Sequence, residues 1–236
     1  MDLFEAINKR KSCRSYTGQP FDQGQLDEFH KIIDGFKSLY PDVPLEYRFV
    51  TETEGLFKVE APHYLIVSGQ GKEGEPENAG FIGEQLVLWF DRHGIGSVWL
   101  GKTKDVQRNR TGKDIITIAF GQPQGEVHRD ESEFKRKPID EITNAPDDPC
   151  IQAVRLAPSG MNLQPWYLEK ADNKTLLYEQ VLKPPVSLAY RKTAVDMGIA
   201  LCHYALACRR FGKPFSFERQ SGLGDKRGYR LFGALS

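Results

Sequence analysis

The sequence is poor in cysteine and has no cysteine pattern. Its four thiols (Cys13, Cys150, Cys202 and Cys208) form neither a CxxC unit nor a metal-ligand set, so no disulfide framework or zinc site can be read from them. Cys202 and Cys208 are six apart, about 600° around a helix, and point to different sides. An excess of one charge is also missing. Lys plus Arg number 32 and Asp plus Glu number 32, so no global field draws nucleic acid or anionic membrane. Any anion has to be gripped locally. No apolar run nears the eighteen or so residues that span a bilayer, and the N-terminus opens on a charged amphipathic segment without an apolar signal region. The expected location is the cytoplasm, with reduced thiols. Gly69-Gln70-Gly71 and Gly74 do not make a dinucleotide fingerprint, because Glu-Pro-rich chain follows and no apolar helix is expected there.

What is present suits a packed protein. At 236 residues, 39% hydrophobic and 27% charged, the chain can bury a real core as one large domain or two small ones. Asp2 and Glu5 have capping-box spacing ahead of a helix with Leu3, Phe4 and Ile7 on one stripe, running into Lys9-Arg10-Lys11. A second helix is expected from Asp22, with Leu26, Phe29, Ile33 and Phe36 at helical spacing. Strands are expected at 45–50 and 63–67, a Gly94-closed helix at 81–93, and strands at 95–100 and 115–120. Residues 122–137 read as a polar connection. The plan then repeats. Asp147 or Asp148 opens a helix through Leu156, a strand is expected at 165–168, a Gly212-closed helix at 193–210, and Phe215 and Phe217 alternate as in a strand.

The spacings of the two parts agree. Tyr47 and Gly94 lie 47 positions apart and Trp166 and Gly212 lie 46 apart, which sets Gly80 and Gly198 at the same early position of the two long helices. This echo suggests an internal duplication rather than a solenoid, since the period exceeds a hundred residues.

Two segments could carry chemistry. In Arg10-Lys11-Ser12-Cys13-Arg14, three cations and a hydroxyl stand where donors could converge on a phosphate and a ring carbonyl. The same residues also suit a solvated helix end facing the negative pole of the helix dipole. In Ala157-Pro158-Ser159-Gly160-Met161-Asn162-Leu163-Gln164-Pro165-Trp166, Gly160 permits close backbone approach, and Ser159, Asn162 and Gln164 cluster beside an apolar strand. That segment reads equally as a helix-to-strand turn capped by its own polar groups. His203 lies among Leu201, Tyr204 and Leu206 and reads as a packed histidine, while Trp89 and Phe90 read as core.

Together the two segments resemble the Arg-Arg-Ser-x-Arg and Ala-Pro-Ser-x-x-Asn-x-Gln-Pro-Trp elements of the nitroreductase family. The segment DMGIALCHYALACRRFG is similar to that family's long central helix, and GSVWLG, FGQPQGE and FKRKPIDEI to its closing strand, turn and basic tail. In ordinary members the two elements lie some thirty residues apart, and each site is shared across a homodimer. Here Arg14 and Pro158 are 144 apart, and the place expected for the second element in the first half reads Phe36-Lys37-Ser38-Leu39-Tyr40-Pro41. The divergent TM-nitroreductase branch looks like this.

The resemblance implies an α+β fold: a mixed or antiparallel sheet flanked by helices, in two pseudo-symmetric, interlocked halves, 1–140 and 141–236. It implies bound FMN, with Arg10, Lys11, Ser12 and Arg14 on its phosphate, ribityl chain and pyrimidine edge. One of Lys135, Arg136 and Lys137 would complete the phosphate clamp. Pro158, Ser159, Gly160 and Asn162 would face the flavin from the second half, and the Gly101 backbone would approach N5. The implied activity is transfer of a hydride from NADH or NADPH to the flavin and then to a small-molecule oxidant such as a nitroaromatic or quinone, with no catalytic side chain required. The implied assembly is a monomer with an intrachain pseudo-dimer and no nucleic-acid or membrane partner. A flavin storage or sensing protein without turnover carries the same binding motifs.

Overall fold

Asp22 starts the second helix through a complete capping box. Its carboxylate accepts from Gln25 N (2.9 Å), and the Gln25 side chain takes Asp22 N (3.0 Å). The computed structural model describes residues 2–55, 59–106, 113–222 and 226–236. In chain order its elements are α1 (Phe4–Ile7), α2 (Gln23–Asp34), β1 (Glu46–Val50), β2 (Thr53–Gly55), β3 (His63–Gly69), α3 (Glu75–Arg92), β4 (Gly96–Leu100), β5 (Thr103–Asp105) and β6 (Lys113–Gly121). There follow α4 (Pro149–Arg155), β7 (Trp166–Ala171), β8 (Lys174–Gln180), α5 (Val186–Ala189), α6 (Thr193–Arg210), β9 (Phe217–Gly222) and β10 (Tyr229–Leu235). Among the described residues no helix is long and apolar enough to cross a membrane.

The strands form two four-stranded antiparallel sheets, β1-β3-β6-β4 and β7-β8-β10-β9, with β2 and β5 pairing separately. This is the expected α+β class. Each large sheet takes two strands, a long helix and two more strands, and in each the last strand in sequence lies inside the third.

Between the sheets lie α3 and α6, and α3 is buried on nearly every side. Gly80 and Gly198, each the sixth residue of its helix, let them touch. A Cβ on Gly80 would overlap Val195 O and stand 2.9 Å from Ile199 N. One on Gly198 would overlap Glu77 O and stand 2.8 Å from its carbonyl carbon. The contact is reciprocal, residue for residue. Trp89 and Phe90 are core as expected, within an aromatic cluster that includes Phe29 and Phe120.

Three local expectations need correction. Helix α1 is one turn long. Its N-cap is Leu3, and Asp2 accepts from Phe4 N (3.0 Å) without a capping box. From Arg10 the chain is therefore extended, not helical. Helix α3 begins at Glu75, six residues ahead of the expected 81, because Pro76 suits the first turn. A strand, glycine loop and helix thus do follow one another at Gly69–Gly74. The loop amides are already taken, since the Glu75 carboxylate accepts from Gln70 N (2.7 Å) and Gly71 N (2.8 Å). That carboxylate stands where a phosphate would have to sit.

Candidate functional site

The extended segment after α1 lies between β4 and the 122–129 connection. Isolated bridges pair Arg10 with His128, Ser12 with Ser97 of β4, and Tyr16 with Pro123. Gly96 permits this closeness, since a Cβ there would stand 2.7 Å from the Cys13 sulfur. Extended backbone sends alternate side chains to opposite sides. Arg10 turns inward and is 3% exposed, Ser12 is half-buried beside β4, and Lys11 and Arg14 are exposed.

Arg10 meets a buried acid. Its Nε is 3.6 Å from Oε1 of Glu84 on α3, which is fully buried. Glu84 also accepts from Trp99 Nε1 (3.0 Å) and lies 3.0 Å from Nε2 of His203 on α6. The other imidazole nitrogen of His203 faces Ala153 O of α4 at 2.9 Å. His203 is thus the packed histidine expected, and it ties three helices together.

Two further guanidiniums join Arg10. Arg129 lies over the Phe134 ring, 3.5 Å from its centroid, and Arg136 lies 5.5 Å from the same centroid. Arg136 donates to Asn162 Oδ1 (2.8 Å) and Leu156 O (3.1 Å). Burial and then the charges of Arg10 and Arg129 push Arg136 down to about 9, and burial and Arg10 push Arg129 down to about 10. A guanidinium does not give up its proton under ordinary conditions; Glu84 offsets part of the repulsion on Arg136 and Glu133 part of that on Arg129, and a further anion would relieve the rest. The Nε atoms of Arg129 and Arg136 are buried without partners. Buried, unpaired donors on mutually repelling cations are a built place for an oxyanion.

Of the three tail cations, only Arg136 belongs to this cluster. Lys135 is exposed, and its carbonyl accepts from Asn162 Nδ2 (2.7 Å). Lys137 donates its backbone N–H to Gln164 Oε1 (2.8 Å) and its ammonium to Gln164 O (3.0 Å). The tail is therefore bonded to the second element, and Arg10, Arg136 and Asn162 bring both motifs together across 152 residues of sequence.

The second element is tightly wound. Asp148 caps α4 through Cys150 N (2.9 Å), and the helix ends at Arg155, ahead of half-buried Pro158. Met161, Asn162 and Gln164 have φ of 54°, 56° and 47°, left-handed values that non-glycine residues seldom adopt. Such strain gathers at binding sites. Ser159 Oγ accepts from Gln164 N (2.8 Å), and Gly160 N donates to Asp196 Oδ1 (3.0 Å). The ring of Tyr190 packs directly on Gly160, where a Cβ would overlap it, and it lies 3.8 Å from a Cβ built on Gly101. Gly101, at the end of β4, and Gly160 thus flank one aromatic ring. Lys192, which donates to Ile115 O, stands beside them.

Sequence reasoning missed Arg129, Glu84, Tyr190 and Asp196. Asp196 and Glu84 had a readable signal, an acid inside an apolar helix. Arg129 and Tyr190 had none, since a polar connection and an unassigned segment held them.

Comparison with known proteins adds the family. The family model described as "Putative TM nitroreductase" matches residues 2–208. Among solved structures, a nitroreductase so designated from Thermotoga maritima matches with TM-score 0.66 and 22% identity, over 98% of this chain and 94% of that one. An FMN-dependent nitroreductase from Clostridium difficile matches 58% of this chain and 98% of its own, with TM-score 0.45 and 15% identity. No curated protein matches the sequence. With the nitroreductase fold in place and the family match spanning most of its length, the chain belongs to the TM nitroreductase family.

Proposed function

We propose that the protein is an FMN-dependent oxidoreductase that oxidises NADH or NADPH and reduces a small-molecule acceptor of nitroaromatic or quinone type. The observation that carries this reading is the cluster of Arg10, Arg129 and Arg136, in which the Nε atoms of Arg129 and Arg136 are buried and unpaired, set against Asn162. It suits one terminal phosphate, which favours FMN over a dinucleotide, and Glu75 fills the loop amides that a dinucleotide would need. Bound FMN would supply the redox chemistry, taking a hydride and passing electrons on.

The chain's own residues bind and orient. Arg10, Arg129 and Arg136 hold the phosphate, so Arg136 is the clamp residue among 135–137. Ser12 and the exposed Lys11 and Arg14 line the approach to the ribityl chain and the pyrimidine edge. A cation there stabilises the negative charge of the reduced ring. Pro158, Ser159, Gly160 and Gly101 supply backbone and hydroxyl contacts beside the ring of Tyr190.

The halves 1–140 and 141–236 are read as a duplication, supported by the shared strand order and the reciprocal glycines. One site per monomer follows from this reading. The counterpart of the second element in the first half is closed on itself, with Asn78 bonding Leu39 N, Tyr40 N, Tyr40 O and Val43 O. The location is read as cytoplasmic. The test is direct: purified protein should be yellow, NADH or NADPH should bleach it, and a quinone should restore the colour with turnover. A yellow protein that NAD(P)H does not bleach would be a flavin store or sensor instead.

A further inference from the structure

The reciprocal contact of α3 and α6 lets their equivalent positions be compared. Asn78 and Asp196 are each the fourth residue of their helix, and each reaches a loop of its own half. Asn78 closes its loop completely. Its Oδ1 accepts from Leu39 N (3.0 Å) and Tyr40 N (2.9 Å), and its Nδ2 donates to Tyr40 O and Val43 O (both 2.9 Å). Asp196 does half of this. Its Oδ1 accepts from Gly160 N (3.0 Å) and from the Tyr190 hydroxyl (2.9 Å), while Oδ2 is buried with no partner.

An amide would serve a purely structural clamp better than an acid. A buried carboxylate with no cation beside it is unfavourable, so an acid at 2% exposure points to a role beyond holding the loop. The residues it holds are Gly160, in the element read as facing the cofactor, and Tyr190, whose ring spans Gly160 and Gly101.

We propose that Asp196 is a positioning residue, a clamp that in its neutral form fixes Gly160 and the Tyr190 ring for the cofactor. The proposal rests on the flavin reading. Burial drives the Asp196 carboxyl up to about 8, against the opposing hydrogen bonds from Gly160 N and Tyr190, and Glu179 on β8 adds repulsion. These are the groups that act on it. Below that pH the acid is neutral, Oδ1 serves as a carbonyl acceptor for both donors, and the proton has Oδ2 to sit on. Above it, an unpaired negative charge appears beneath Gly160, next to the place of an anionic ligand.

The ligand-free chain gives the first readout. Because the folded-state value lies above the ordinary carboxyl value, the folded chain keeps a proton that the unfolded chain has lost. Stability from this group is therefore full at low pH and falls as pH rises toward about 8. Asp196→Asn cannot ionise and keeps the acceptor oxygen, so its melting temperature should lack this fall. The second readout is FMN affinity. Wild type should weaken about tenfold between pH 7 and 9, as expected for binding confined to the neutral form. Asp196→Asn should hold constant affinity over that range, and Asp196→Ala should bind at least about tenfold more weakly at pH 7, as a lost buried hydrogen-bond acceptor would. Identical pH dependence of wild type and Asp196→Asn in ligand-free melts overturns the proposal, as does wild-type affinity in Asp196→Ala. Absence of FMN binding in every form overturns the functional reading, and the ligand-free comparison then decides the clamp alone.

Discussion

Gly80→Ala tests the helix crossing on which the site depends. The added Cβ would overlap Val195 O and stand 2.9 Å from Ile199 N, and both are backbone atoms that no side-chain rotation can move. Restoring normal separation near 3.5 Å needs the helices to part by about 1 Å at their closest point. Overpacking against backbone atoms falls in the upper part of the usual range, about 2–3 kcal/mol, while alanine returns about 1 kcal/mol of helix propensity. The net loss is about 1–2 kcal/mol, or a fall of about 2–8 °C in Tm for a chain of this size. Gly198→Ala presses on Glu77 at the same crossing and should lose a similar amount. Once one methyl has parted the helices the second meets less resistance, so the double variant should lose clearly less than the two singles together. Urea and thermal melts on the four proteins measure this. A Gly80→Ala chain as stable as wild type, or strict additivity, would refute the reciprocal contact.

Arg136→Ala should weaken FMN binding by about one to two decades, the worth of about 1.5–3 kcal/mol for a charge-assisted contact to phosphate. Arg10→Ala should do the same and also lower stability, because Glu84 loses its buried cation. Full flavin occupancy after dialysis of either variant would return these arginines to a structural role. Heat-released ligand should be FMN, at one per chain, with light scattering giving a monomer. FAD, two flavins per chain, or one flavin shared by two chains would each refute that. Asn78→Asp should destabilise by about 2–4 kcal/mol, since Tyr40 O and Val43 O lose their donors in a buried place. Unchanged melts at neutral pH would show that the loop is held by other means.

Periodicity made most of the fold legible. Helix α6 was readable to the residue, and Glu46–Val50, His63–Gly69, Gly96–Leu100 and Lys113–Gly121 lie where apolar runs or alternation placed strands. β8 and β10 went unread. Thr175, Leu177 and Glu179 point to one face of β8, and the buried Glu179 among them breaks the apolar alternation. Position α3 was foreshortened for a similar reason. Its first turn is Glu-Pro-Glu-Asn, which reads as solvated loop, yet Glu75 and Glu77 are buried by loop amides and by Arg219. Long-range partners decided these elements, and no local pattern encodes them.

The site was legible as two motifs but not as a geometry, and the reason lies in where its charges are balanced. Arg10 can be buried only because Glu84 reaches it from α3, and Glu84 in turn is held by Trp99 and by His203 from α6. Arg136 belongs to the polar 122–137 connection, yet it is fixed by Leu156 and Asn162, 20 and 26 residues further on. Each of these charges is therefore held by residues distant in sequence. Arg129 and Arg136 each keep a buried Nε without a partner, and the two central helices are locked closely together at their glycines. That lock holds Glu84, His203 and Asp196 at fixed depths behind the loops that carry the motifs. Any change that parts the helices should accordingly loosen the site before it unfolds the chain, since the Glu84–His203 contact behind Arg10 spans the two helices while each sheet pairs only within itself.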